Sequence, residues 1–166
     1  MTERENSGSL VVGVVPNQPI RVATEALSWA KKGSIETVHF IYANPELIEI
    51  DGALEPMDPD SLNDSWKDEQ KALSARLRSL AQTMDVMADF RCAAGDPSHI
   101  LAYYAHKFEA CTIVVGTRAC GGRAALEEWT RGSVAARLSH RQQIPVLIIP
   151  LDEELSPTLG TNKAGK

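Results

Sequence analysis

The run Leu10-Val11-Val12-Gly13-Val14-Val15 is apolar without interruption, the pattern of a strand buried on both faces, and Pro16-Asn17-Gln18-Pro19 breaks it. Over residues 20–32 the apolar positions Val22, Ala23, Ala26, Leu27, Trp29 and Ala30 recur at helical spacing. Lys31-Lys32-Gly33 gives that first helix a cationic end and a glycine stop. Thr37-Val38-His39-Phe40-Ile41-Tyr42-Ala43 predicts a second strand, ended by Asn44-Pro45. Residues 62–83 place Leu62, Trp66, Leu73, Leu77 and Leu80 on one stripe, which predicts a long amphipathic helix capped by Asp60 or Ser61. Phe90-Arg91-Cys92-Ala93-Ala94 has weak β-propensity and reads as a third strand from its position. Asp96 then caps, and Pro97 opens, a helix with Ile100, Leu101, Tyr104, Ala105 and Phe108 on its buried face. Residues 111–115 predict a fourth strand, Gly132-Ser133 opens a fourth helix, and residues 144–150 predict the last strand.

Five strands alternating with four helices predict an α/β fold with a doubly wound parallel sheet and helices on both faces. The acidic, proline-containing stretch 46–60 reads as a solvated loop, a bland linker or a cover over one edge of the domain. Residues 1–9 are too polar to order themselves and read as a frayed arm, residues 10–151 as one domain, and 152–166 as a flexible tail.

Composition narrows the function classes. A chain of 166 residues fits one domain, burying roughly two-thirds of its unfolded surface without disulfides or metal. A formal charge of −5 leaves no general basic surface, which argues against nucleic acid and anionic membrane as partners. No apolar run approaches the roughly 20 residues that cross a bilayer, and the first residues lack a signal-peptide core, so the expected location is the cytoplasm. Cys92, Cys111 and Cys120 lack metal-type or C-x-x-C spacing, which fits a reducing compartment; they read as small buried residues, with Cys120 the one candidate reactive thiol.

Candidate chemistry gathers between the last two strands, in Gly116-Thr117-Arg118-Ala119-Cys120-Gly121-Gly122 and Gly132-Ser133-Val134. The N–H groups at a helix start have no partner within the helix; Ser133 can cap it, and Gly132 lets a ligand approach the backbone. Phosphate binding and an ordinary capped helix are both open readings. Arg118, Arg123 and Arg131 suit phosphate contact or surface pairing with Glu127 and Glu128, and Trp129 suits stacking on a ligand or anchoring in the core. His39 reads as a hydrogen-bonded core residue. His99 and His106 share a helix face without a third metal ligand, and His140 complements a helix dipole. No phosphate loop, G-x-G-x-x-G, G-x-S-x-G or pyrophosphatase loop is present, so no catalytic residue and no metal site is expected.

Residues 116–149 resemble the C-terminal signature of the universal stress protein family: a G-x-x-G loop, nine residues, Gly-Ser or Gly-Thr, then a helix and a strand of the type Pro145-Val146-Leu147-Ile148. Weaker similarity runs upstream through Gly95-Asp96-Pro97-Ser98-His99-Ile100 and Ala26-Leu27-Ser28-Trp29-Ala30 to about Leu10. The resemblance implies an adenine nucleotide alpha hydrolase-like fold of strand order 3-2-1-4-5. In that order a crevice opens at the carboxyl ends of the first and fourth strands, walled by Val15-Pro16-Asn17, the end of the second strand and the loop after Gly116. It also implies Ala43, Gly116, Gly132 and Ser133 as candidates for binding an adenine nucleotide or other small phosphorylated ligand, and Thr117, Arg118, Gly121, Gly122 and Val134 join them from the same two loop segments. A homodimer through Val146, Leu147, Ile148 and Ile149 is a further implication.

Two positions depart from the family pattern. Val15, followed by Pro16, stands where ATP-binding members carry an acid, and Ala119 stands at the second loop glycine. The segment between Ala119 and Gly132 is also three residues longer than the pattern, and 123–129 reads as an inserted helical turn. A lost charged hydrogen bond plus backbone strain amounts to about 3–5 kcal/mol, enough to take a micromolar ATP site to millimolar. The expectation is a non-catalytic stress protein, regulatory or protective, with a degenerate nucleotide crevice. The alternatives are an ATP-binding member that uses Gly121-Gly122 in a shifted register, and a small α/β enzyme acting on a phosphorylated or adenylated metabolite.

Overall fold

A computed structural model of the chain describes residues 8–60, 65–117 and 134–151, Arg141 by its backbone alone. Its elements are β1 Ser9–Gly13, α1 Arg21–Lys32, β2 Thr37–Asn44, β3 Leu47–Ile50, β4 Ala53–Pro56, α2 Ser65–Met84, β5 Met87–Ala94, α3 Pro97–Lys107, β6 Ala110–Gly116, α4 Val134–Arg141 and β7 Val146–Ile149. Five strands form one parallel sheet in the order β5-β2-β1-β6-β7. With β3 and β4 set aside, that is the expected 3-2-1-4-5 arrangement. Among the described residues no helix is long and apolar enough to cross a membrane.

Strand β1 lies at the centre, and its unbroken apolar run follows from having a helical layer on each side. Leu10 and Val12 join a buried cluster with Leu27 of α1, Leu77 of α2 and Phe40 of β2. Val11 faces the other way, into a cluster with Leu101 and Ala105 of α3 and Leu138 of α4. Of the stripe predicted on the long helix, Trp66 and Leu77 are buried and Leu73 and Leu80 pack against the core at half burial, while Leu62 and the cap candidate Ser61 lie outside the described residues. His39 is a hydrogen-bonded core residue: Nδ1 lies 2.9 Å from Asp89 Oδ1, and its ring stacks on Phe108 at 4.0 Å between centroids.

Four features differ from the sequence reading. Ser9, read as the end of a frayed arm, is buried in β1 and paired with Thr37 and Ala110. The stretch read as an acidic loop contains an antiparallel hairpin, β3–β4, in register from Leu47↔Pro56 to Ile50↔Ala53. Asp51 and Gly52 take φ of 50° and 80°, the two left-handed positions of a type I′ turn, so the Asp51-Gly52 dipeptide was the signal for it. β5 begins at Met87, earlier than its weak propensity suggested, because its whole length is paired from Thr37↔Met87 to Asn44↔Ala94. Cys111 is exposed, and Cys92 is half-buried rather than fully so.

Packing at one helix start yields a pH-dependent expectation. Asp96 caps α3 by accepting the His99 N–H at 3.2 Å, takes a hydrogen bond from the Ser98 hydroxyl, and pairs with Arg137 Nη1 of α4 at 2.9 Å. Burial pushes its carboxyl up, but the bonds from Ser98 and His99 and the Arg137 charge outweigh burial and hold it below the ordinary carboxylate value. Asp96→Ala is expected to lower stability by about 1 kcal/mol at pH 7. A carboxyl depressed in the folded state contributes fully above its unfolded value of about 3.9 and loses that contribution as pH falls through the folded one. Urea unfolding at pH 7 and pH 3 checks this: the gap between wild type and variant should shrink at pH 3.

Candidate functional site

The carboxyl ends of β1 and β6 lie side by side, in register up to Val12↔Val114, and the chains leaving them pass to opposite layers. After β1, Val14 N–H still donates to Ile41 C=O at 3.0 Å, which keeps the chain in the sheet one residue longer. Pro16 then prevents further pairing from its own nitrogen. Asn17 takes a left-handed φ of 62°, Gln18 N–H returns to Val15 C=O at 3.3 Å, and the chain enters α1 on the first layer. Beyond β6 the next described element is α4, whose Ala135 and Leu138 are buried in the second layer. Neighbouring strands feeding opposite layers make a topological switch point, which opens a crevice at the strand ends.

The walls of that crevice are well defined on the β1 and β2 sides. Val15 is 46% exposed and presents an apolar side chain at the strand end. Behind it, towards α1 and α2, Val14, Ile20, Ala23 and Leu77 help to enclose a hollow of about 20 Å³, room for one water. On β2 the last pairing with β1 is Gly13↔Ile41, so Ala43, two residues on, has its backbone polar groups on the β1 side beyond the ladder. Its side chain is buried. Asn44 secures this strand end: its amide donates to Tyr42 Oη at 3.1 Å, its Oδ1 accepts Glu46 N–H at 2.9 Å, and its C=O accepts Gly95 N–H at 3.0 Å. The Tyr42 hydroxyl is pushed above its ordinary value by burial first, then by Cys92, Glu69 and Glu46, against the Asn44 bond. Burial alone pushes the Cys92 thiol up to about 11, so it is protonated and a poor nucleophile at neutral pH.

On the β6 side the strand end is packed against apolar atoms. A Cβ on Gly116 would stand 2.7 Å from Val22 Cγ2, 2.8 Å from Leu151 Cδ1 and 2.9 Å from Gln18 Nε2. Glycine at this position is therefore demanded by close packing with α1 and the segment after β7. Thr117 donates its N–H to Ile149 C=O, and its hydroxyl accepts Leu151 N–H, both at 2.9 Å. Sequence reasoning did not single out Gln18 or Leu151, because neither belongs to a local motif.

Of the candidates for a nucleotide or phosphate, the structure brings Ala43, Gly116 and Thr117 to the carboxyl edge of the sheet beside Val15, and Val134 is the half-buried first residue of α4. Arg118, Gly121, Gly122, Gly132 and Ser133, with Ala119, Cys120, Arg123, Trp129 and Arg131, lie outside the described residues. Among the described residues no group of three His, Cys, Asp or Glu stands together as a metal site. Val146 and Ile148 of the last strand line a groove of about 530 Å³ that runs between α4 and β7, whereas Ile149 is buried in the first layer and Leu147 packs against it.

The universal stress protein family model matches residues 10–150. A universal stress protein solved with cAMP is 19% identical, with a TM-score of 0.62 over 87% of this chain and 97% of that one. A universal stress protein from Archaeoglobus fulgidus, solved with dAMP, is 18% identical with a TM-score of 0.61, covering 86% and 97%. UspA from Lactobacillus plantarum is 18% identical with a TM-score of 0.62, also covering 86% and 97%. Such identities speak for the fold alone. No curated protein matches the chain.

Proposed function

The chain belongs to the universal stress protein family, and from that premise we propose a non-catalytic, regulatory or protective stress protein that works as a homodimer with a degenerate nucleotide crevice. The observation that carries the reading is the β1 end of the crevice, where exposed Val15 and the N–H-less Pro16 stand in place of the acid of the ATP-binding members. Losing one charged hydrogen bond costs about 1.5–3 kcal/mol, roughly tenfold to a hundredfold in Kd. The engaged Thr117 hydroxyl and the crowded Gly116 add to this, since both already serve the packing of Leu151.

Titration with a fluorescent ATP analogue, with and without Mg²⁺, tests the reading. Wild type is expected to bind in the millimolar range, and Val15→Asp to tighten binding about tenfold by restoring a charged acceptor. Micromolar binding by wild type, lost on Gly132→Val, would instead establish the ATP-binding alternative. Product release from ATP above a Gly132→Val control would establish the enzyme. The neighbours solved with cAMP and dAMP favour a second reading, an adenine monophosphate in the crevice, which asks less of the phosphate loop than a triphosphate does. Competition by AMP and cAMP in the same titration separates it from the first.

Support for the dimer comes from the two edges of the sheet. β7 is an edge strand flanked by the groove that Ala135, Ile144, Val146 and Ile148 line, an apolar surface that a second copy would cover. The opposite edge, β5, carries Asp89 and Arg91, half-exposed charges that oppose edge pairing. Sedimentation equilibrium at micromolar concentration should give a dimer, and Ile148→Lys should shift it towards monomer.

A further inference from the structure

Among the described residues the β3–β4 hairpin forms a two-stranded sheet joined to no other strand. Its register places Leu47, Glu49, Leu54 and Pro56 on one face, and Ile48, Ile50, Ala53 and Glu55 on the other. Leu47 is buried and Leu54 and Pro56 are half-buried, so the first face sits against the body, except that Glu49 near the turn is exposed. The second face turns outward. Ile50 is 49% exposed on it, and Met57, just past β4, is 62% exposed.

The hydrogen bond from Met57 N–H to Glu46 C=O sets the alternation of paired positions, which directs the backbone groups of Glu49 and Leu54 to the open strand edges. Charge is concentrated in the same place. Residues 46–60 hold six of the chain's 22 acidic residues and none of its 17 basic ones, a formal −6, while the rest of the chain carries +1 of the total −5. Among the described residues no cation is paired with Glu49, Asp51, Glu55 or Asp60. A hairpin kept only for solubility would not present isoleucine and methionine outward. One kept only for packing would not gather unneutralised acids.

We propose that this hairpin is a docking surface for a basic segment of a partner protein, one in which lysine or arginine alternates with apolar residues. Charge complementarity identifies the partner's sign and speeds encounter. Ile50 and Met57 supply apolar anchors, and the open edge at Glu49 or Leu54 offers backbone bonds to an extended chain. The inference is independent of whether the crevice holds a nucleotide.

Fluorescence anisotropy on the full-length protein tests it, with a labelled peptide of alternating Lys and Val as probe. Saturable binding is expected, weakened about tenfold by Glu49→Lys with Glu55→Lys and about fivefold by Ile50→Asn with Met57→Ser. A charge-matched control, Glu25→Lys with Glu109→Lys, should change it less than about twofold. Thermal midpoints within a few degrees of wild type identify the variants that remain folded. Absence of binding would overturn the proposal. So would equal weakening by the control pair, or equal binding of a Lys-Ser peptide, because either would reduce the effect to diffuse charge attraction.

Discussion

Phe40→Ala is expected to lower the free energy of unfolding by about 3–5 kcal/mol, the largest effect of any single substitution considered for this protein. Phe40 is 1% exposed and sits in β2 between Val12 of β1 and Phe90 of β5. Its side chain fills the layer between the sheet and the helices α1 and α2, alongside Leu27 and Leu77. Truncation removes the transfer free energy of a buried ring and leaves a cavity that an interior strand, tied on both sides, cannot close. For a domain of this size the loss corresponds to a fall in Tm of about 6–20 °C. Phe40→Leu, which keeps most of the volume, should cost less than about 1.5 kcal/mol. Urea unfolding of the pair measures the difference, and a cost for alanine no larger than for leucine would mean that the layer is not close-packed here.

Gly116→Ala is expected to cost about 1–3 kcal/mol, the overpacking range, without any ligand present. The added methyl would stand under 3 Å from Val22, Leu151 and Gln18, and Val22 and Leu151 are themselves buried, so neither has free space to move into. If the strain is local, trimming the nearest neighbour relieves it: Val22→Ala and Gly116→Ala together should cost less than the sum of the two single changes, by about 0.5–1.5 kcal/mol. Strict additivity would show that the two sites do not touch. A glycine kept solely for a nucleotide would leave apo stability unchanged. This variant therefore distinguishes packing from ligand approach at a position that motif reasoning assigned to phosphate.

Much of the fold was legible because its signals are local. The apolar run at Leu10, the helical recurrence from Val22 to Ala30 and the Asp96-Pro97 start each lie within a few residues of the feature they specify, and the structure places elements at all three. The hairpin was equally local in origin, since Asp51-Gly52 asks for a type I′ turn, but acidic composition drew the reading towards a solvated loop. Part of the candidate site was legible too: set beside the family pattern, Val15 and Pro16 mark a departure at the β1 end.

The sequence by itself determined the apolar runs and stripes of the main elements, the stop residues that punctuate them, and where the charge is concentrated. Periodicity and stop residues report those properties over one or two turns of chain. Only the tertiary structure decided what each side meets: Asp96 with Arg137 across two helices, His39 with Asp89 across two strands, and Leu151 against Gly116 and Thr117 at the crevice wall. Such pairs depend on register and layer order, which arise when residues remote along the chain compete for the same buried volume. A pattern in the sequence can therefore reveal that Gly116 is special, while the close packing that makes it so exists only once α1 and the segment after β7 have closed over it.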